Sequence, residues 1–195
     1  DLNPDKNIAS CVKHFAAYGA PEGGREYNTV DMSERRLRED YLPAYKAAVD
    51  SGCELVMTSF NTVDGIPASG NKWLMRDVLR EEWGFNGVII SDYAAIQELI
   101  AHGVAEDDRE AAKLGIEAGV DIDMKTPVYS NQLEGLVKDG VISEELIDEA
   151  VWRILNLKNK LGLFENPYRG ANIDKEKEVI LSPEKRKLAR KISGE

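Results

Sequence analysis

Histidine and cysteine are scarce: the 195 residues contain two of each, His14 and His102, Cys11 and Cys53. The histidines are far apart and enter no His-x-x-x-His or Glu-x-x-His pair, so a His-rich metal centre lacks its usual ligand spacing. The cysteines form no CxxC, which leaves a zinc ribbon or a dithiol redox motif unsupported. Both cysteines lie in apolar runs and are expected as buried free thiols. Basic charge is also short, with 25 Lys and Arg against 35 Asp and Glu and a net charge of -10. A protein that neutralises phosphates needs a basic face, so nucleic acid is excluded as a partner. The cluster Lys185-Arg186-Lys187 with Arg190-Lys191 is interleaved with helical apolar positions and reads as a solvated helix face. No apolar run approaches the ~20 residues that span a bilayer. The start, Asp1-Leu2-Asn3-Pro4-Asp5, has no initiator Met, basic n-region or apolar h-region, and reads as the middle of a longer chain. Neither a metal nor a cofactor is called for. Gly23-Gly24 is not followed by Lys-Ser/Thr and does not open a helix, so it is no phosphate loop.

What is present is a chain long enough to bury a core, 43% hydrophobic, with one domain and an appended piece as its default organisation. Four short apolar runs predict strands: Ala9-Ser10-Cys11-Val12, Leu55-Val56-Met57-Thr58, Gly87-Val88-Ile89-Ile90 and Gly119-Val120-Asp121-Ile122. Their continuous apolar character, without strict alternation, suits parallel strands covered on both faces. Helical segments separate them. Ser33 caps a helix carrying Leu37, Tyr41, Tyr45, Ala48 and Val49, which Gly52 ends. Trp73, Leu74, Val78 and Leu79 form the stripe of a second helix, stopped at Gly84. Asp107 and Glu110 have capping-box spacing before Ala111, Leu114 and Ile116, with Gly119 at the end. Beyond the fourth strand only helices follow, one around Leu133, Leu136 and Val137, another capped by Ser143 and ending at Gly162. Residues 165–182, with Asn166-Pro167 and Gly170, read as a linker, and Ser182-Pro183 restarts a helix that the chain end cuts off.

In parallel α/β architectures chemistry collects at the carboxyl ends of strands. There the sequence places Lys13-His14, Ser59-Phe60-Asn61, Ser91-Asp92-Tyr93 and Asp123-Met124. Any one alone is weak, since a strand-end Asp often only caps a helix and a lone His is often a core residue. Together they offer a carboxylate, an ammonium and an imidazole. A lone carboxylate among hydroxyl-binding donors and aromatics suits attack at an anomeric carbon. A strand-end lysine could instead form a Schiff base, the aldolase-like alternative using Lys13, if burial lowered its pKa.

At these residues the sequence resembles glycoside hydrolase family 3, the retaining β-glucosidases, β-xylosidases and related exo-acting enzymes. Leu79-Arg80-Glu81-Glu82-Trp83-Gly84-Phe85-Asn86-Gly87-Val88-Ile89-Ile90-Ser91-Asp92-Tyr93 is similar to the family's nucleophile signature, and Lys13-His14-Phe15-Ala16-Ala17-Tyr18-Gly19 to its substrate-binding Lys-His motif. Gly23-Gly24-Arg25-Glu26-Tyr27-Asn28-Thr29-Val30, Val56-Met57-Thr58-Ser59-Phe60-Asn61 with Gly65-Ile66-Pro67, Ala118-Gly119-Val120-Asp121 and Leu161-Gly162-Leu163-Phe164 follow in the family's order.

The resemblance implies a TIM (β/α)8 barrel followed by an α/β sandwich domain, with the terminal sugar bound at their junction. Asp92 would be the nucleophile, and Lys13 and His14 would hold hydroxyls of a non-reducing glucose. Phe60 would stand beside the nucleophile, Tyr93 beside the leaving group where many members have Trp, Met57 on the pocket wall, and Arg25 either on sugar or bracing its loop. The loop Tyr18-Gly19-Ala20-Pro21-Glu22-Gly23-Gly24 lacks the Asp-His pair of the N-acetylglucosaminidase branch, which favours a glucosidase over that branch and leaves a β-xylosidase open. The acid/base Glu would come from the sandwich domain, outside this chain. A barrel takes ~250 residues, so residues 1–164 are expected to be four C-terminal βα units, a C-terminal half-barrel with a helical tail. Residues 165–195 would be a linker and the first helix towards the absent sandwich domain. The expected partners are a carbohydrate, the missing N-terminal half-barrel and the sandwich domain, and the family implies a periplasmic or secreted setting. Four strands cannot close a barrel, so two edges and an inner face would stay open, and the chain alone is expected to turn over little. A non-catalytic piece is the remaining alternative.

Overall fold

The computed structural model describes residues 8–168 and 171–194. The opening Asp1-Leu2-Asn3-Pro4-Asp5, Gly170 of the expected linker and the terminal Glu195 lie outside the described residues. The chain divides into two compact units, Asp1–Leu161 and Gly162–Glu195.

Among the described residues the first unit carries six strands: β1 Cys11–Phe15, β2 Thr29–Val30, β3 Leu55–Thr58, β4 Thr62–Val63, β5 Ile66–Pro67 and β6 Val88–Ile90. The main sheet has the order β1-β3-β6 and is wholly parallel, with Cys11 opposite Leu55, Val12 opposite Val56, and Met57 opposite Ile90. A small second sheet, β2-β4-β5, lies in the loops beyond β1 and β3. Helices join the parallel strands, as parallel pairs require, and the α/β class expected from the sequence is the class observed.

Local chemistry sets the helix ends. Ser33 Oγ accepts the Arg36 N–H at 3.2 Å, starting a helical segment over residues 34–50. That segment widens into a π turn at Leu37–Tyr41, directly ahead of Pro43, whose missing N–H interrupts the ordinary ladder. Trp73–Glu82 likewise bonds in π fashion and buries Leu74, Met75, Val78 and Leu79. Asp107 Oδ1 accepts the Glu110 N–H at 2.9 Å, while Glu110 Oε2 reaches back to the Glu106 N–H, a capping box displaced by one residue. Helix Asp108–Ala118 ends at Gly119 with φ 94°, a left-handed turn that glycine tolerates. Val128–Lys138 and the Ser143-capped Glu144–Lys160 complete the unit. The core these helices form against the sheet includes Phe15, Leu37, Leu74, Met75, Leu79, Ile89, Ile96, Leu99, Ile116 and Leu136, all buried. Each such side chain contributes about 1.5–3 kcal/mol on leaving water.

Several expectations are corrected. The first strand runs from Cys11 to Phe15 rather than from Ala9 to Val12, which draws Lys13 and His14 into the strand. The fourth predicted strand is only a bridge, Ile90 opposite Ile122, because Asp121 diverts the Ile89 N–H to its own carboxylate. The sheet is not covered on both faces. Val56 and Ile89 are buried under helices, whereas on the other face Cys11 and Lys13 are exposed and Leu55, Met57 and Ile90 are half-buried, although Val88, opposite Leu55, is buried. For the same reason the buried-thiol expectation fails: Cys11 is exposed and Cys53 half-buried. In the second unit the expected linker holds a helix, Ile173–Val179, capped by Asn172 Oδ1. Pro183–Ile192 is a helix whose start is capped by Ser182 Oγ, as the Ser182-Pro183 pair predicts.

Candidate active site

The carboxyl ends of β1, β3 and β6 converge around Asp92. Beyond Ile90 the chain leaves the β3 ladder and pairs with the segment after Ile122: the Ser91 N–H meets Ile122 O at 2.9 Å, and the Ala94 N–H meets Met124 O at 3.0 Å. Asp92 sits in this bend with its side chain 14% exposed. Its Oδ1 accepts the Tyr93 N–H at 2.6 Å, and its Oδ2 lies 3.3 Å from His14 Nε2. The Asp92 N–H donates to Thr58 Oγ1 at 3.2 Å, while Ser91 Oγ donates to Asp92 O and accepts the Met124 N–H. The carboxylate is thus fixed through Oδ1 by the Tyr93 N–H and meets the imidazole through Oδ2.

His14 is held from the other side. Tyr45 Oη donates to its carbonyl at 2.5 Å, and the β1/β3 register shifts between Val12 and Phe15. The Lys13–His14 and Phe15–Ala16 peptide bonds are cis. From His14 a run of aromatic rings leads outward: Tyr18 meets it edge-on at 5.5 Å, Phe60 meets Tyr18 at 6.1 Å, and Tyr27 lies against Phe60 at 4.4 Å. These rings make an amphipathic wall of the kind that takes the C–H faces of a sugar. Burial, with Glu26 and Asp92 adding to it, pushes the Tyr18 phenol up to about 12, so it stays a neutral hydroxyl donor. Ala17, Tyr27 and Ala94 adopt left-handed backbone with φ of 60°, 65° and 62°, a conformation that clusters where local strain serves a site. Beside this wall Tyr27, Glu98, Ala101 and His102 line a cavity of about 390 Å³.

The structure therefore brings Asp92 and His14 together, with Phe60 reached from His14 by way of Tyr18. Lys13 is exposed on the uncovered strand face. Met57, opposite Ile90 on that same face, is half-buried. Tyr93 is 56% exposed, with Lys125 Nζ 5.1 Å above its ring. Arg25 is exposed in the loop after Gly23-Gly24, folded against Gly23. Sequence reasoning missed Thr58, Ser69, Tyr18, Tyr27 and Glu98 as parts of this neighbourhood. Thr58 ends a strand and Tyr18 and Tyr27 fall inside quoted motifs, but a buried hydroxyl or a loop phenol has no periodicity to mark it. Among the described residues no group of three His, Cys, Asp or Glu side chains could hold a metal ion, and no helix is long and apolar enough to cross a membrane.

Comparison with known proteins points the same way. A model of the glycosyl hydrolase family 3 N terminal domain matches residues 4–157. The chain is 50% identical over 162 residues to a periplasmic beta-glucosidase of Salmonella typhimurium, covering 83% of this chain and 21% of that protein. It is 39% identical over 169 residues to a putative beta-xylosidase of Formosa agariphila, covering 86% and 22%. Among solved structures it is similar to a beta-glucosidase from Listeria innocua in complex with glucose, with a TM-score of 0.90 and 57% identity over 96% of this chain and 26% of that one. The chain spans about a fifth to a quarter of the length of these relatives.

Proposed function

Because the chain belongs to glycosyl hydrolase family 3, we propose that it supplies the nucleophile and part of the sugar pocket of a retaining β-glucosidase whose remaining parts lie in a longer protein. The observation that carries this is the placing of Asp92, with Oδ1 held by the Tyr93 N–H and Oδ2 turned to His14 at the mouth of the parallel sheet. In this reading Asp92 Oδ2 attacks the anomeric carbon as the bond from that carbon to the leaving oxygen breaks. The leaving oxygen takes a proton from an acid/base carboxyl contributed from outside the chain, about 5–5.5 Å from Asp92. Water then attacks the glycosyl ester, returns its proton to that same group and frees both sugar and Asp92. His14 and Lys13 hold hydroxyls of the terminal sugar, Phe60 and Tyr18 face its ring, and Tyr93 and Met57 border the pocket.

The uncovered face of the main sheet, with Cys11, Lys13, Leu55, Met57 and Ile90, supports reading residues 1–164 as half of a (β/α)8 barrel whose other strands lie elsewhere in the protein. The division of the chain after Leu161 supports a boundary near 164, with residues 165–195 leading into another domain. The test uses the whole protein and a 2-fluoro β-glucoside that stalls the glycosyl-enzyme. The label is expected on Asp92, and Asp92→Ala should abolish turnover while the protein stays folded. Labelling at another residue would refute the assignment. The 39% identity to a putative beta-xylosidase favours a second reading, a β-xylosidase with the same nucleophile. The ratio of rates on aryl β-glucosides and β-xylosides separates the two.

A further inference from the structure

We propose that Thr58 and Ser69 are positioning residues for the Asp92 carboxylate, their two buried hydroxyls fixing the backbone from which it projects. The proposal rests on the reading of Asp92 as nucleophile.

The need for them follows from the topology. β6 is paired to β3 as far as Ile90, opposite Met57, and then bends away to bond with the segment after Ile122. At Asp92 the chain has left one ladder, and no backbone carbonyl of β3 meets its N–H. The Thr58 side chain, on the last residue of β3, takes the place of that carbonyl and accepts the bond at 3.2 Å. Thr58 Oγ1 is in turn 2.7 Å from Ser69 Oγ, either hydroxyl being able to donate, and both residues are buried, at 0% and 1% exposure. Ser69 belongs to the tight turn Ala68–Gly70, which is wholly buried, with Leu99 packed close to Gly70. The turn thus sets the Thr58 rotamer, Thr58 sets the Asp92 amide, and the Tyr93 N–H sets Oδ1. On the other side Ser91 Oγ bridges Asp92 O and the Met124 N–H. A buried N–H deprived of its acceptor has to seek another, and the route open to it is a shift of the bend that carries the carboxylate.

Thr58→Val keeps the shape and removes the hydroxyl, Thr58→Ser restores it, and Ser69→Ala removes only the outer member. In the whole protein, the rate constant for labelling by the 2-fluoro β-glucoside is measured alongside binding of a competitive inhibitor and the melting temperature. A misplacement approaching 1 Å can cost about 10²-fold in rate. Thr58→Val is expected to label on the order of 10- to 100-fold more slowly with inhibitor binding unchanged. Thr58→Ser should label nearly as the parent does, and Ser69→Ala should fall between. A purely structural pair would lower the melting temperature and leave the labelling rate of the folded protein untouched, and that result overturns the proposal. If Thr58→Val does not fold, Ser69→Ala decides, and parental labelling by that variant overturns it equally. Labelling of the parent at a residue other than Asp92 removes both the nucleophile reading and this proposal, whereas labelling at Asp92 with unchanged rates removes only the latter.

Discussion

Arg80 and Asp121 meet at 2.7 Å with their side chains only 7% and 1% exposed, so the pair is buried in fact as well as in name. The same carboxylate accepts the Ile89 N–H at 2.7 Å and Arg153 Nη1 at 2.9 Å. Arg80 also donates to the carbonyls of Gly119, Gly87 and Phe85. Two helices, the strand that leads to Asp92 and the segment before Ile122 are thereby tied at one point. Burial lowers the Arg80 guanidinium to about 10, while Asp121 pulls the other way.

Removing Asp121 leaves two guanidinium groups and a strand N–H without their shared acceptor. Truncating one member of a buried, hydrogen-bonded pair typically costs about 3–5 kcal/mol, and Asp121→Ala is expected to lose that much in urea denaturation. A loss of only about 1 kcal/mol or less, the range of exposed pairs, would show that the cluster is replaceable.

Gly87 is constrained by space, not by a left-handed backbone. A Cβ there would lie 2.4 Å from Glu54 O and 2.6 Å from the Phe85 ring, closer than real side-chain contacts. Since the Val88 N–H bonds that same Glu54 carbonyl at 3.0 Å, Gly87→Ala has to spread the start of β6 from the start of β3. Overpacking of this kind costs about 1–3 kcal/mol, and thermal melting should show it. A melting temperature equal to the parent's would mean that the strand start yields freely.

Much of this was legible in the sequence, for reasons that can be named. Helix ends at Ser33, Asp107, Gly119 and Ser143 were readable because capping depends on a few adjacent residues. The order of strands and helices was readable from apolar runs. The open face of the sheet was not readable from the apolar runs of β1, β3 and β6, which look buried on both sides; it followed only from the family resemblance, since four strands cannot close a barrel. The fourth strand misled in another way: Val120 and Ile122 look like strand residues, but the Asp121 carboxylate takes the Ile89 N–H that a ladder would use. At the site, Asp92 and His14 stood out by motif and position. Thr58 and Ser69 did not, since their part depends on where β6 parts from β3.

Glu98 gives a dependence on pH whose sign can be worked out. It opens the short helix Glu98–Ala101, and its Oε2 is enclosed with no hydrogen-bond partner among the described residues. Burial raises its pKa above the ordinary 4.5, and the charge of Asp92 raises it further. A carboxyl protonated more readily when folded binds more protons in the native state, so native stability falls as pH rises through the window between its unfolded and folded values. The favourable contribution is fully present below about 4.5 and is lost once pH passes the raised folded value. Glu98→Gln keeps the size and removes the charge, so the variant should melt higher than the parent at neutral pH. That advantage should shrink as the pH falls through the carboxylate range and vanish below it. In an Asp92→Asn background one of the two causes is gone, so the advantage should be smaller and should level off at a lower pH. Melting curves across this range for the parent and both variants check the argument, and an advantage of Glu98→Gln that does not change with pH would overturn it.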